Sequence, residues 1–196
     1  MIAPRAHSRG RASLSDAALL SSIAEGDLSA LGEIYDRHAS DVWRAARRML
    51  GSGPDVDDVV QNVFTKLPQI AHSYDGRASA RAWLLGIGAR FALRHRRGVG
   101  RFARMLASLA PTVRASAGSD PEQQVTERRE LQAFEAALEH LAPKKRAVFV
   151  LAELEGLTTE EIALALQIPP ATVRTRLHHA RHELHAAVKR ESPSRA

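Results

Sequence analysis

The chain has 196 residues, a formal net charge of +6 at pH 7, and ordinary shares of hydrophobic (44%) and charged (26%) residues. This length accommodates one domain or two small ones. The chain contains no cysteine, which excludes disulfides and cysteine-based zinc sites. No apolar run approaches the ~18 residues of a membrane span, and an aromatic content of 5% argues against a large ligand pocket.

Four helices are predicted in the first half, after a basic tail that lacks the apolar core of a signal peptide. Ser15 and Ser79 are suited to cap the first and fourth helices, because a serine hydroxyl accepts a hydrogen bond from a free N–H. Pro68 should stop or kink the third helix, since it lacks the N–H that a helix interior requires. His38 lies on an apolar face, and we interpret it as a core histidine. The four helices are predicted at residues 15–25, 29–50, 55–68 and 79–97.

The second half is predicted to hold a linker and a second set of helices. Pro111 and the run ASAGSDP at residues 115–121 do not favour regular structure. Helical spacing of apolar residues resumes over residues 130–141 and 143–155. The expected fold is all-α, with two small helical domains joined by a flexible linker. Its predicted parts are a tail at residues 1–14, a domain at 15–97, a linker at 98–128, a domain at 129–190 and a tail at 191–196.

Residues 155–188, EGLTTEEIALALQIPPATVRTRLHHARHELHAAV, carry the pattern of a helix-turn-helix. Thr158 can cap the first helix while the carboxylate of Glu161 reaches back to the free N–H of the capping residue. Pro170 suits the first position of the second helix, because its φ is already helical and its missing N–H would have no partner there. One face of that helix is apolar and the opposite face carries Arg, Thr and His, which is typical of a major-groove helix. The alternative is an αα-hairpin that packs against another surface.

A second basic region lies away from the helix-turn-helix. The segment from Arg81 to Arg104 contains no Asp or Glu, so its arginines account for more than the whole net charge. Two separated basic regions suggest two contacts with nucleic acid. The arginines of this segment are Arg81, Arg90, Arg94, Arg96, Arg97, Arg101 and Arg104.

Motifs in both halves resemble those of bacterial RNA polymerase sigma factors. LTTEEIA at residues 157–163, IP at 168–169 and TVRTRL at 172–177 are similar to region four of that family. DVDDVVQNVF at 55–64 and WLLGIGAR at 83–90 resemble region two. Regions two and four separated only by a linker are the pattern of the extracytoplasmic-function group.

The resemblance implies that the third helix docks on the clamp helices of the largest polymerase subunit. Its polar side chains would pair with that partner, and spare apolar surface on its wide band could be buried there. The alternative is that the band is simply core and the acidic residues only cap the helix. The residues expected to bind polymerase are Asp55, Asp58, Gln61, Asn62 and Phe64.

The resemblance also implies that the fourth helix and the loop before it capture the melted −10 element. Cationic side chains would follow the backbone while a pocket holds a flipped base. Arg90 and Arg94 stand where relatives usually have Asn and often Asp, which predicts stronger phosphate contact and an unusual −10 preference. The residues expected at the −10 element are Tyr74, Arg77, Arg81, Trp83, Arg90, Arg94, Arg96 and Arg97.

The outward face of the second helix of the helix-turn-helix is expected to read the −35 element. Arg174 can make the bidentate contact with guanine O6 and N7 that discriminates bases. Arg176 and Arg181 lie nearer the packing edge and should grip phosphate. His179 stands where relatives often have Arg, which would make that contact weaker and pH-sensitive. The residues expected at the −35 element are Thr172, Arg174, Thr175, Arg176, His178, His179 and Arg181.

Other interpretations remain beside this one. His178, His182 and His185 have a spacing that can bind Zn²⁺ or Cu²⁺, but no carboxylate completes the set and no metal or cofactor is expected. A stand-alone dimeric helix-turn-helix regulator would leave the region-two motifs unexplained. An enzyme is not expected, because the sequence has no Gly-rich phosphate loop, nucleophile elbow or catalytic carboxylate pair. The expected partners are core RNA polymerase, promoter DNA and an anti-sigma factor, in the cytoplasm.

Overall fold

The computed structural model describes residues 14–51, 55–107 and 134–191, without the side chains of 97–107 and 188–191. All regular secondary structure in these ranges is helical, which confirms the predicted fold class. We call α1 to α4 the first unit and α5 to α8 the second unit. The first unit contains α1 (Asp16–Ala24), α2 (Leu28–Leu50), α3 (Asp55–Ile70), a 3₁₀ turn (Ala71–Ser73) and α4 (Ala80–Ala107). The second unit contains α5, of which residues 134–140 are described, α6 (Pro143–Phe149), a π-helical turn (Val150–Leu154), α7 (Thr159–Leu166) and α8 (Pro170–Glu191).

The starts of α1 and α4 confirm the caps that the sequence predicts. Ser15 Oγ accepts a hydrogen bond from the backbone N–H of Ala18 at 3.2 Å, and Ser79 Oγ accepts one from Ala82 at 3.1 Å. Each bond satisfies an N–H that has no partner within its helix. Apolar side chains of the four helices then fill the core of the first unit, among them Leu19, Ile34, Val63, Leu67 and Leu84.

His38 is a core histidine, as predicted, and it joins α2 to α1. It is buried, and its Nε2 lies 2.7 Å from Oδ2 of Asp16. Arg37 donates to the other oxygen of the same carboxylate at 2.8 Å. Burial alone would raise the pKa of Asp16, but the hydrogen bonds and charges of Arg37 and His38 outweigh it and hold that pKa below its usual range. This cluster fixes the first helix of the unit.

Two helix ends differ from the predictions. Of the two outcomes predicted for Pro68, a stop or a kink, the stop does not occur at residue 68, because the helix continues to Ile70 and passes into the 3₁₀ turn. A proline two residues before a helix end removes only one hydrogen bond, so the last turn can still form. Helix α4 continues past Arg97 to Ala107, through the first ten residues of the predicted linker. Residues 108–133, which include the rest of that linker, lie outside the described residues.

The helix-turn-helix has the local geometry that the sequence predicts. Thr158 and Glu161 form both hydrogen bonds of a capping box at the start of α7. Gln167 ends α7 in a left-handed conformation with φ 56°, and Pro170 opens α8. Val173, buried on the inner face of α8, joins the core below α7. The turn therefore fixes how α8 projects from the second unit.

The two units share one apolar core, which the sequence does not predict. Helix α7 lies across α4, and side chains of both units pack together between them. A Cβ placed on Gly86 of α4 would lie 2.6 Å from Cβ and 2.7 Å from Cα of Ala165 on α7, closer than such atoms can approach. The absence of a side chain at residue 86 is therefore required for this crossing. The shared core includes Met49, Val56, Leu85 and Ala89 of the first unit and Val148, Leu151, Ile162 and Leu166 of the second.

The substitution Gly86→Ala should destabilise the packed chain, whereas Gly32→Ala should stabilise it. A methyl group at residue 86 forces α4 and α7 apart, at a cost of about 1–3 kcal/mol for an overpacked contact. Gly32 is also helical but has open space around its Cβ position, so alanine there should add about 0.5–1 kcal/mol. Urea denaturation of both variants measures the difference. Equal stabilisation by the two substitutions would contradict the close contact of α4 and α7.

Candidate nucleic-acid and protein interfaces

The outward face of α8 is exposed and basic. Arg174, Thr175, His178 and His179 are exposed, while Val173, on the opposite side, is fully buried. Neither Arg174 nor Arg176 has an ion-pair partner among the described residues. Thr172 and Arg176 are half-buried at the edge of this face. Most residues predicted for the −35 element therefore lie together on one accessible surface.

Arg181 differs from the other cations of this face, because its charge is already engaged. Its Nε lies 3.0 Å and its Nη2 2.5 Å from Oε1 of Glu153, in the π-helical turn after α6. A phosphate would have to compete with this carboxylate. The part of the chain that the structure describes contains no group of three or more side chains placed to hold a metal ion. His178, His182 and His185 therefore do not form a ligand set here.

The arginines of α4 do not form a single free patch. Arg81 binds Asp41 and Glu155, Arg90 donates to the backbone oxygen of Ala165, and Arg96 donates to that of Met49 at 3.1 Å. Burial lowers the pKa of Arg90, and the charge of Arg94 lowers it further. Arg94 is exposed, with its guanidinium 4.6 Å from the ring centre of Phe91. The side chain of Arg97 lies outside the described residues. Arg81 and Arg90 thus face the second unit, while the side chain of Arg94 is exposed to solvent.

The loop before α4 brings three further −10 candidates together. Tyr74 packs against Trp83 with ring centres 5.4 Å apart, and its hydroxyl donates to the backbone oxygen of Ala78 at 2.9 Å. Burial raises the pKa of Tyr74, which keeps the hydroxyl protonated. Arg77 is exposed and binds Asp75, whose pKa is lowered by the backbone N–H and the side chain of Arg77. An aromatic pair beside an exposed cation is the combination that stacks on a base and holds its phosphate.

The polymerase-binding candidates of α3 are only partly exposed. Asp58, Gln61 and Asn62 face solvent, although the amide of Asn62 donates to the backbone oxygen of Asp58. Asp55 lies 3.0 Å from Nε2 of His95. Phe64 is 5% exposed and packs edge-on against Tyr35, with ring centres 4.8 Å apart. Phe64 therefore supports the surface from below, and Tyr35 takes the exposed position.

A large groove lies between α2 and α3, and the sequence does not predict it. It has a volume of about 1370 Å³. Leu28, Tyr35 and Trp43 of α2 expose 65%, 46% and 39% of their surface along it. The indole N–H of Trp43 donates to Oδ1 of Asp57 across the groove at 3.1 Å. The sequence does contain a pattern that corresponds to this groove. Apolar residues at 28, 31, 35, 39 and 43 form a second helical stripe on α2, beside the stripe that faces the core.

No helix in the described part of the chain is long and apolar enough to cross a membrane.

Comparison with known proteins identifies the families of the two units. The sigma-70 region 2 family matches residues 34–102, and the sigma-70 region 4 family matches residues 131–184. The chain is 33% identical to the ECF RNA polymerase sigma factor SigE of Mycolicibacterium smegmatis over 177 residues, which cover 88% of this chain and 68% of that protein. It is 32% identical to the RNA polymerase sigma factor CnrH of Cupriavidus metallidurans over 188 residues, covering 90% and 96% of the two chains.

Solved structures of sigma factors have the same fold. CnrH in complex with the cytosolic domain of CnrY matches with a TM-score of 0.65 and 28% identity, over 90% of this chain and 99% of that one. The sigma factor RpoE of Bartonella quintana, in complex with the anti-sigma factor NepR, matches in fold with a TM-score of 0.64 at 21% identity, over 81% and 96% of the two chains. Two family matches in the order of region 2 and region 4, with relatives above 30% identity along nearly the whole chain, agree with the motifs and with the all-helical fold. The chain belongs to the extracytoplasmic-function sigma factors of bacterial RNA polymerase.

Proposed function

We propose that the chain binds core RNA polymerase and directs it to promoters whose −10 and −35 elements it recognises with separate surfaces. The observation that carries this function is the exposed basic face of α8, presented by a capped helix-turn-helix. Two arginines on this face suit separate tasks, base recognition and phosphate contact. Arg174 is exposed on this face and has no ion-pair partner among the described residues, so a bidentate contact with guanine there can discriminate bases. Arg176 lies at the edge, where phosphate contact positions the helix without specifying sequence.

The groove between α2 and α3 is the surface that we assign to polymerase. Exposed aromatic and aliphatic side chains on its floor are the kind of anchors that dominate protein interfaces. Its acidic side chains, Glu33, Asp36 and Asp57, together with Asp58 beside them, favour a partner helix that carries cations. Gln61 extends the polar rim. Of the polymerase-binding candidates of α3, Gln61 and Phe64 line this groove together with Tyr35 and Trp43 of α2.

The −10 element would meet the loop before α4 and the exposed side of that helix. Tyr74 and Trp83 supply aromatic surface for unstacked bases, and Arg77 and Arg94 supply charge for the strand backbone. Binding of the opened strand offsets the cost of unstacking, so no nucleotide hydrolysis is needed at this step. The protein therefore acts as a non-enzymatic factor.

The two units would work as separate domains joined by the linker predicted at residues 98–128, whose first ten residues continue α4, with tails at 1–14 and 191–196. Polymerase and chromosomal DNA place this activity in the cytoplasm. Because RpoE of Bartonella quintana forms a complex with an anti-sigma factor, we also assign an anti-sigma factor as a partner of this chain. That partner would compete with polymerase for exposed surface of the first unit.

Run-off transcription with purified core polymerase tests this function. The chain should direct transcription from specific promoters, and Trp43→Ala should weaken its binding to core polymerase at least tenfold, because central aromatic anchors contribute about 2 kcal/mol or more. Leu164→Ala is the matched control, since Leu164 is similarly exposed (40%) but lies on α7. A chain that binds palindromic DNA as a dimer and never joins polymerase would contradict the function. Equal binding of both variants to core polymerase would contradict the assignment of the groove as the polymerase-binding surface.

Two arginines on the same helix should have different effects on promoter choice. Arg174→Ala should reduce discrimination at one −35 base pair by about 1–3 kcal/mol, because the bidentate base contact is lost. Arg176→Ala should weaken binding to all promoters alike, because a phosphate contact is lost. The slope of log affinity against log salt concentration should fall in magnitude by about one. Affinities of the polymerase holoenzyme for a set of −35 variants, measured at several salt concentrations, separate the two effects. The same loss at every sequence for both variants would refute the division.

A further inference from the structure

The groove between α2 and α3 carries acidic charge that the described residues do not neutralise. Asp36 and Asp57 line it, and neither has an ion-pair partner in the part of the chain that the structure describes. Arg44 is the one cation among the described residues that line the groove, and it lies 2.5 Å from Asp41. Trp43 is exposed beside these charges. The groove therefore favours an occupant that brings both cations and apolar side chains.

The first thirteen residues of the sequence, MIAPRAHSRGRAS, have this composition. Residues 5, 9 and 11 are arginine, and no Asp or Glu occurs before Asp16. The run MIAP at residues 1–4 is apolar. We call residues 1–13 the leading segment, and its own structure lies outside the described residues. Its cations and its apolar run complement the acidic charge and the apolar floor of the groove.

The first described residue lies beside the edge of this groove. The backbone oxygen of Leu14 accepts a hydrogen bond from Nη1 of Arg37 at 2.9 Å. Nε of the same arginine donates to Oε1 of Glu33 at 3.0 Å, and Glu33 lines the groove. One side chain, Arg37, therefore connects the point where the leading segment joins the chain to the edge of the groove.

The leading segment is long enough to cover the groove from this point. Thirteen residues in an extended conformation span up to about 43 Å at ~3.3 Å per residue. Glu33 precedes Trp43 by ten residues on α2, which is about 15 Å at ~1.5 Å per residue. The reach of the segment therefore exceeds the distance to the exposed aromatic side chains of the groove.

We propose that the leading segment docks in the groove between α2 and α3, with its arginines beside Asp36 and Asp57 and its apolar run against Tyr35 and Trp43. A segment joined to the surface that it binds has an effective concentration in the millimolar range, so a weak affinity is enough to keep it in place. The regulatory consequence rests on the proposed function, because the segment then competes with core polymerase for the groove. Polymerase displaces it on binding.

The outward face of α8, another basic surface of the chain, lacks the apolar half of this match. It exposes Arg174 and His178, while Val173 and Ala180 of the same helix are buried. A second copy of the chain that offered this face would pair charges but leave the aromatic side chains of the groove in water. The leading segment supplies both kinds of contact.

Acrylamide quenching of Trp43 fluorescence tests the docking in the free chain. The sequence contains two tryptophans, so Trp83→Phe leaves Trp43 as the only one. Removal of residues 1–13 should raise the quenching constant about twofold or more, because a tethered segment covers the indole in most molecules. The combined substitutions Arg5→Glu, Arg9→Glu and Arg11→Glu should have the same effect, because like charges in the groove repel.

The matched control places the same change of charge at the other end of the sequence. Lys189→Glu, Arg190→Glu and Arg195→Glu together should leave the quenching of Trp43 as it is in the parent chain. A quenching constant that does not change when the leading segment is removed, or when its three arginines are reversed, would overturn the proposal. Shielding that persists without the segment and disappears on dilution would assign the groove to a second copy, and would overturn the proposal as well.

Affinity for core polymerase separates the failure of this proposal from the failure of the proposed function. Removal of residues 1–13 should raise that affinity about fivefold, because a segment bound in about four of five molecules leaves one fifth of them competent to bind. Unchanged affinity would overturn the competition with polymerase. A segment that shields Trp43 in a chain that never binds polymerase would refute the function and leave the docking intact. A chain that binds polymerase, with Trp43 quenched equally in the presence and absence of the segment, would refute the docking alone.

Discussion

The arrangement of this sigma factor depends on one buried carboxylate that is neutralised from another part of the chain. Glu155 is 1% exposed and draws both of its arginine partners from the first unit. A carboxylate buried without partners would be strongly destabilising, so the second unit is held where Arg48 and Arg81 can reach it. The small residues at Gly86 and Ala165 allow the accompanying close contact of α4 and α7. Charge and shape together therefore define a single closed position.

That position divides the functional surfaces into two classes. The groove between α2 and α3 and the outward face of α8 stay open to solvent. Polymerase can therefore reach the groove, and duplex DNA can reach α8. Arg81 and Arg90 on α4 are instead engaged with backbone oxygens of the second unit. Arg146 is buried between the same elements, and its Nε and Nη2 have no hydrogen-bond partner among the described residues.

The sequence predicts best what is decided locally. Thr158 with Glu161 and the serine caps depend on residues three positions apart, and each is present as expected. Pro68 lies two residues before the end of α3, so the proline alone does not decide at which residue of the last turn the helix ends. The contact of Gly86 with Ala165 joins residues far apart in the chain, and no periodicity within one helix encodes it. The exposed apolar stripe of α2 that includes Tyr35 and Trp43 is visible in the sequence, but it lies beside the apolar stripe that forms the core.

The most direct test of the central claim is the distance between spin labels on the two units, attached through Lys66→Cys on α3 and Glu160→Cys on α7, before and after core RNA polymerase is added. The account predicts one short distance in the free chain and a distance longer by tens of ångströms in the polymerase complex, since the promoter elements lie about 85 Å apart. A transcriptionally active complex that keeps the short distance of the free chain would contradict the account, because the units would then work without separating.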